Sequence, residues 1–237
     1  MGARHSKVAE VTKFLNSLEC ERLILAGDIL DAWQLKKENR NWTVQDSAFF
    51  SVVMKMMEDH GTEVIYLTGN HDDFLDGVVP GKLFNISILS SYKFTSGDHN
   101  VIVIHGHAFD IVSMRFRWLA KLGDVAYNQL IKVNKIWNRD REKTGQEKYS
   151  FSQVLKNGVK NAVNLISGFE GDLADYAKAN KCDIVICGHI HRPADKELKG
   201  GVRYLNSGDW VESLTGLVED FSGNWSLLKY TDLFPAD

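Results

Sequence analysis

Cysteine is scarce here, and the three residues present, Cys20, Cys182 and Cys187, form no CxxC pair. Two of them lie at or in apolar segments, so they read as small core residues of a reducing compartment, and disulfides are not expected. Long apolar runs are also missing. No stretch approaches the roughly 18 to 20 residues needed to span a bilayer, and the N-terminus shows no signal-peptide core. A cytoplasmic protein is the expectation. Excess positive charge is lacking too, since the formal net charge is −3. An acidic chain without a recognisable reading module is not expected to bind nucleic acid.

What is present is enough for a sizeable core. With 44% hydrophobic residues in 237, the chain can bury one large core, and one domain over 1–237 is expected. Apolar runs recur, and each ends in a polar cluster. Leu23 to Ala26 leads to Gly27-Asp28, and Glu63 to Thr68 to Gly69-Asn70-His71-Asp72. Val101 to Ile104 leads to His105-Gly106-His107, and Asp183 to Cys187 to Gly188-His189-Ile190-His191. Such runs read as buried strands of an α/β sheet, whose ligands gather outside the strands' carboxyl ends.

Helical spacing fills the intervals. Val8, Val11, Phe14, Leu15 and Leu18 predict a helix after Ser6, a candidate N-cap; Phe49, Phe50, Val53, Met56 and Met57 predict another over Val44 to Asp59, closed by His60-Gly61. Past Gly81 the strands shorten: Ile86 to Leu89, Tyr92 to Thr95 and Val101 to Ile104, then Val202 to Leu205, Ser213 to Val218 and Trp225 to Tyr230. Two sheets are expected. About 75 residues between the third and fourth clusters carry no strand signal, too many for a bare loop, and predict a helical insert at about 111–180. From Ile111 to Lys148 it holds nine Lys or Arg against four acids. A basic amphipathic helix of this kind suits an anionic membrane surface or an amphiphilic substrate, although an ordinary core helix with a solvated face shares its spacing.

The clusters hold five of the eight histidines: His71, His105, His107, His189 and His191. A divalent metal at a phosphate site wants hard carboxylate oxygen with imidazole nitrogen, and a pair of metals needs a ligand that can bridge them. Asp28 can bridge, and Asn70 offers a neutral amide oxygen. His189 and His191, two residues apart in an extended stretch, would point the same way and could each serve one metal. His107 is expected beside the ligands rather than among them. Asp72 is expected to orient His71, and Asp31 either to contact substrate or only to start a helix. His5, His60 and His99 lie elsewhere.

The ordered set Gly-Asp, Gly-Asn-His-Asp, His-Gly-His and Gly-His-Ile-His resembles motifs two to five of the calcineurin-like metallophosphoesterases. With GDILDAW, the basic insert and Leu205 to Glu212 (LNSGDWVE), the chain is similar over nearly its whole length to the UDP-2,3-diacylglucosamine diphosphatase group. The resemblance implies a two-sheet α/β sandwich flanked by helices, with two divalent cations, usually Mn2+. It implies hydrolysis of the pyrophosphate of a UDP-linked diacylglucosamine, a step of lipid A biosynthesis, to UMP and the lipid 1-phosphate, peripheral to the inner membrane. It makes Asp28 the bridge, Asn70, His105 and His189 the ligands of one metal, and His191 a ligand of the other. His71, held by Asp72, would stabilise the phosphoryl group or protonate the leaving group, and the insert, with Arg115, Arg117 and Lys121, would meet the substrate.

Two departures are visible. The family's first motif, Asp-x-His-Leu-Gly, and its strand are absent, and Met1-Gly2 stands where Leu-Gly would be. The expectation is a truncated or misplaced start, with one metal bound well and the other poorly. Second, His71 stands where the diphosphatase group carries arginine. This keeps open a metallophosphoesterase for another nucleotide-linked lipid or phosphodiester. A non-catalytic scaffold of the same fold, like retromer's metallophosphoesterase-like subunit, is the reading from another class.

Overall fold

In the computed structural model the described residues are 1–2, 5–37, 42–109 and 168–235. They belong to two compact units, 1–107 with 173–237, and 108–172. The expected insert lies outside the described residues, except that residues 168–179 (α4) are helical. Arg115, Arg117 and Lys121 also fall outside them.

The first unit starts with α1 (Val8–Leu15), whose Val8, Val11, Phe14 and Leu15 form one buried face. Ser6 is not its cap. The helix begins after Lys7 without a side-chain cap, and the Lys7 N–H donates to the Trp210 carbonyl at 2.8 Å. β1 (Arg22–Leu25) follows, then a short α2 (Ala32–Lys37) and the long α3 (Val44–His60). Thr43 and Asp46 close a reciprocal capping box at the start of α3, worth about 1 kcal/mol, and Gly61 ends it at φ 69°.

β2 (Glu63–Leu67) then joins a four-stranded sheet of order β1-β2-β4-β3, with β3 (Gly81–Leu83) and β4 (Ile86–Leu89). A five-stranded sheet contains β5 (Ser91–Ser96), β6 (His99–Ile104), β7 (Ile184–Cys187), β8 (Ala194–Glu197) and β9 (Arg203–Asn206), in the order β5-β6-β7-β9-β8. β1 and β2 run parallel, as do β6 and β7. The expectation of two sheets needs one correction. Among the described residues β10 (Thr215–Glu219) and β11 (Trp225–Lys229) pair only with each other, as a hairpin that precedes α5 (Tyr230–Leu233).

Alternation along β2 explains the layering. Val64 and Tyr66 join a cluster with Val11 and Phe14 of α1 and Phe49, Val53 and Met56 of α3. Ile65 and Leu67 point the other way, into a cluster with Val101 and Val103 of β6, Ile184 and Ile186 of β7 and Leu205 of β9. A strand buried on both faces must be apolar throughout, as this one is. Each large side chain removed from water in this inter-sheet layer contributes about 1.5–3 kcal/mol. The layer holds the two sheets face to face, so that the tips of β1, β2, β6 and β7 meet. Among the described residues no helix is long and apolar enough to cross a membrane. All three cysteines are free; Cys182 and Cys187 are buried and Cys20 partly so.

Candidate metal centre

Asp28 follows β1 at φ 55°, a left-handed conformation that an aspartate holds only when its surroundings impose it. They do so closely. The His71 N–H donates to Asp28 Oδ1 at 2.8 Å, and a Cβ on Gly69 would fall 2.2 Å from the same oxygen. The backbone of the second cluster is thus wrapped around this carboxylate. Burial alone would raise the Asp28 carboxyl; the His105 imidazole, the His71 N–H and the His71 ring outweigh it and hold it well below the usual carboxylate range.

His105, at the end of β6, is 2% exposed. Its Nδ1 meets the Ala26 carbonyl at 2.8 Å. A carbonyl only accepts, so Nδ1 carries a hydrogen, and Nε2 is left to donate to a carboxylate when it too is protonated or to offer its lone pair to a cation when it is not. That atom lies 3.3 Å from Asp28 Oδ2 and 3.2 Å from His189 Nδ1. Gly27 makes room for the ring: its φ is 90°, and a Cβ there would come within 2.4 Å of His105 Nδ1.

Asp28, His105 and His189 each bring a ligand atom within 4.8 Å of the others. A proton satisfies one of two facing ring nitrogens, whereas a divalent cation takes up both lone pairs and the carboxylate charge together. Asn70 supplies an independent sign of fit. Its Oδ1 is buried and accepts no hydrogen bond among the described residues, a costly state for an amide oxygen unless a cation takes it as ligand. The donor set, hard oxygen with imidazole nitrogen, fits a divalent metal.

His191 is not in this compact group. The prediction that His189 and His191 leave an extended stretch on one side fails, because both residues are left-handed, at φ 44° and 54°, and the Ile190 N–H turns back to the Gly188 carbonyl at 2.6 Å. The two rings therefore part. His189 meets His105, and His191 Nδ1 lies 3.1 Å from Asp209 Oδ2. His107 sits beside the ligands, its ring 5.4 Å from that of His105, with burial holding its pKa below the ordinary histidine value.

The carboxylate at His71 is also not the expected one. Asp72 is fully buried and accepts from the N–H groups of Leu30 at 2.9 Å, Ile29 at 3.3 Å and Gly69 at 3.4 Å. Burial pushes its carboxyl up against the pull of those donors. Asp72 therefore ties the loop after β1 to the loop after β2. His71 Nδ1 instead lies 3.1 Å from Asp31 Oδ1, and its Nε2 lies 4.0 Å from Asp28 Oδ2. Asp31 also starts α2, accepting the Gln34 N–H at 3.0 Å. Burial would raise its carboxyl, but His71 and that N–H bring it below the usual range. Trp33, the second residue of α2, sets its ring 5.5 Å from that of His71 and donates its indole N–H to Asp73 at 3.2 Å.

Sequence reasoning passed over Trp33, Asp73 and Asp209 as site residues. GDILDAW and LNSGDWVE contain two of them, and a tryptophan beside an acid at a strand end was the available signal.

A cation-binding group at converging strand tips of a two-sheet α/β sandwich defines a class, the metal-dependent phosphoester hydrolases. The chain belongs to the calcineurin-like phosphoesterase family, whose model matches residues 2–193. Among curated proteins it is similar to UDP-2,3-diacylglucosamine hydrolase of Shewanella sp. (strain ANA-3), 21% identical over 86% of this chain and 82% of that protein. The enzyme of the same name from Marinobacter nauticus is 22% identical over 84% and 80%. Among solved structures, a single-mutant Vps29 from Entamoeba histolytica aligns with a TM-score of 0.42 at 12% identity, covering 92% of this chain and 86% of that one.

Proposed function

We propose that the chain hydrolyses the pyrophosphate of a UDP-linked diacylglucosamine, releasing UMP and the lipid 1-phosphate, with divalent cations, Mn2+ first among them, held by Asp28, Asn70, His105, His189 and His191. The observation that carries the metal reading is the meeting of Asp28, His105 and His189 beside the orphaned Asn70 oxygen. The substrate is supported by the two curated relatives and by the basic composition of the stretch 111–148, from which Arg115, Arg117 and Lys121 are the residues proposed to bind it.

When bound, the cations supply Lewis acidity, acidifying water and neutralising charge that builds on the phosphoryl oxygens. The protein's own groups do the rest. Asp28, held ionised, is the anionic anchor. His71 lies between two carboxylates, with Nδ1 3.1 Å from Asp31 and Nε2 4.0 Å from Asp28; its doubly protonated ring carries the Nε2–H that donates to a phosphoryl or leaving-group oxygen. Asp72 fixes the two loops that carry Asp28 and His71.

Purified protein with Mn2+ is assayed on UDP-diacylglucosamine and on an aryl phosphodiester. UMP release from the first with no turnover of the second is expected. Turnover of the phosphodiester alone favours the second reading, a phosphodiesterase of other specificity, which rests on His71 standing where the diphosphatase group has arginine. No Mn2+-dependent turnover of any phosphoester sinks both.

A further inference from the structure

His105 shows how this protein prepares an imidazole: one ring nitrogen is spent on a fixed acceptor, and in the neutral ring the other is thereby left with its lone pair. A second histidine, half-exposed, has an acceptor beside the same ring nitrogen, supplied by a residue outside the cluster. His191 Nδ1 lies 3.1 Å from Asp209 Oδ2, and the Asp209 side chain is 7% exposed. The other oxygen of the same carboxylate is fully engaged. Asp209 Oδ1 accepts the N–H groups of Glu212 at 2.7 Å, Val211 at 2.9 Å and Ser213 at 3.0 Å, while Ser213 Oγ accepts the Asp209 N–H at 2.8 Å. A carboxylate pinned by three backbone donors has no freedom to rotate away from the ring it faces.

The turn that holds Asp209 is tethered to the turn that holds His191. Asn206 is fully buried; its Nδ2 donates to the Gly188 carbonyl at 2.7 Å, and its Oδ1 accepts the Gly208 N–H at 2.8 Å. Gly208 has φ 72°, and a Cβ on it would meet Thr215 Oγ1 at 2.2 Å and Ser213 Oγ at 2.5 Å, so only glycine lets the chain turn there. One buried amide thus links the start of Gly-His-Ile-His to the start of the Asp209 turn.

We propose that Asp209 is a positioning residue: Oδ1 closes its own turn, and Oδ2 holds His191 in the Nδ1–H form, leaving the Nε2 lone pair for a divalent cation. This rests on the metal reading of the site, and nothing in the motif comparison requires it. A carboxylate only accepts, so the neutral ring meets it best with its hydrogen on Nδ1, the nitrogen that the Ala26 carbonyl meets in His105.

The Asp209→Asn variant separates positioning from folding. Its amide oxygen can still accept the three turn N–H groups, but its NH2 then faces His191 Nδ1 and selects the Nε2–H form, whose lone pair sits on Nδ1 against that NH2 and leaves none at Nε2 for a cation. Ring-nitrogen NMR of the metal-free, 15N-histidine-labelled protein reads the tautomer, and the EPR signal of free Mn2+ reads binding. The unsubstituted chain is expected to show His191 as Nδ1–H. In Asp209→Asn the tautomer is expected to invert, and Mn2+ affinity to fall about 10- to 100-fold, with the thermal midpoint nearly unchanged. Ser213→Ala, which loosens only the turn, should lower the midpoint and leave the tautomer alone. An Nε2–H form in the unsubstituted chain, an unchanged tautomer in Asp209→Asn, or inversion in Ser213→Ala would overturn the proposal. If the unsubstituted chain binds no Mn2+, the metal reading falls together with the cation half of this inference, while the metal-free tautomer still decides whether Asp209 sets the ring.

Discussion

His71 Nδ1 faces Asp31 Oδ1 at 3.1 Å, although the acid next to His71 in sequence is Asp72. A carboxylate beside Nδ1 favours a ring that carries hydrogens on both nitrogens, the form that can donate from Nε2 to the reacting group. His71→Ala is expected to lower kcat by about 10²- to 10⁴-fold, the usual worth of a proton donor. Asp31→Asn keeps a good helix-start residue and should therefore lower kcat with little change in thermal midpoint. Because both act through one ring, the double variant should be no slower than His71→Ala alone. Additive losses in steady-state kinetics would separate the two residues.

Asp72→Asn should behave in the opposite way. Its two oxygens accept three backbone N–H groups from two loops, and an amide has one acceptor oxygen to offer them. Leaving buried donors unsatisfied predicts a loss of about 1–3 kcal/mol in urea unfolding. A variant as stable as the parent but slow in turnover would return Asp72 to the role of orienting His71.

The contrast between these two aspartates shows what the sequence made legible. Strand runs and the polar clusters at their ends can be read directly, because a doubly buried strand such as Glu63–Leu67 must be apolar at every inward position. The meeting of Asp28 with His105 and His189 follows from four tips at one end of a sandwich. Pairings between clusters cannot be read. Asp31 and His71 are 40 positions apart, and their contact depends on how α2 turns away from β1. Edge strand Ala194–Glu197 was invisible because its side chains are mostly exposed and charged. The separate hairpin β10–β11 has the same apolar alternation as a sheet strand. The left-handed backbone at His189 and His191 was hidden for another reason: histidine does not announce a positive φ as glycine does.

Gly27→Ala tests how closely the His105 ring is cradled. An added methyl would sit on the imidazole, and the position is left-handed as well. Expected are a shift of the ring away from Ala26, Mn2+ affinity weakened at least about 10-fold, as for loss of an orienting partner, and a destabilisation of about 1–3 kcal/mol from the strained backbone. Calorimetric titration with Mn2+ and thermal unfolding of the metal-free protein check the two parts. Unchanged affinity would mean that the ring does not need its carbonyl anchor.

Acid stability of the metal-free protein tests the charge of Asp28. Its carboxyl sits below the ordinary range in the folded chain, so the folded state binds its proton later than the unfolded one, whose value is about 3.9. The resulting stability is fully present above that unfolded value and is lost as pH falls toward the folded one. Asp31 and Asp209 are shifted the same way and add to the trend. The urea midpoint of the unsubstituted chain in a chelator is therefore expected to hold above about pH 5 and to drop progressively as pH falls below it. Asp28→Asn should show a shallower drop, since it removes one contributor while leaving the others. An equal drop in both would mean that the His105 and His71 rings do not favour the ionised carboxylate, and Asp28 would lose its place as the anionic anchor of the site.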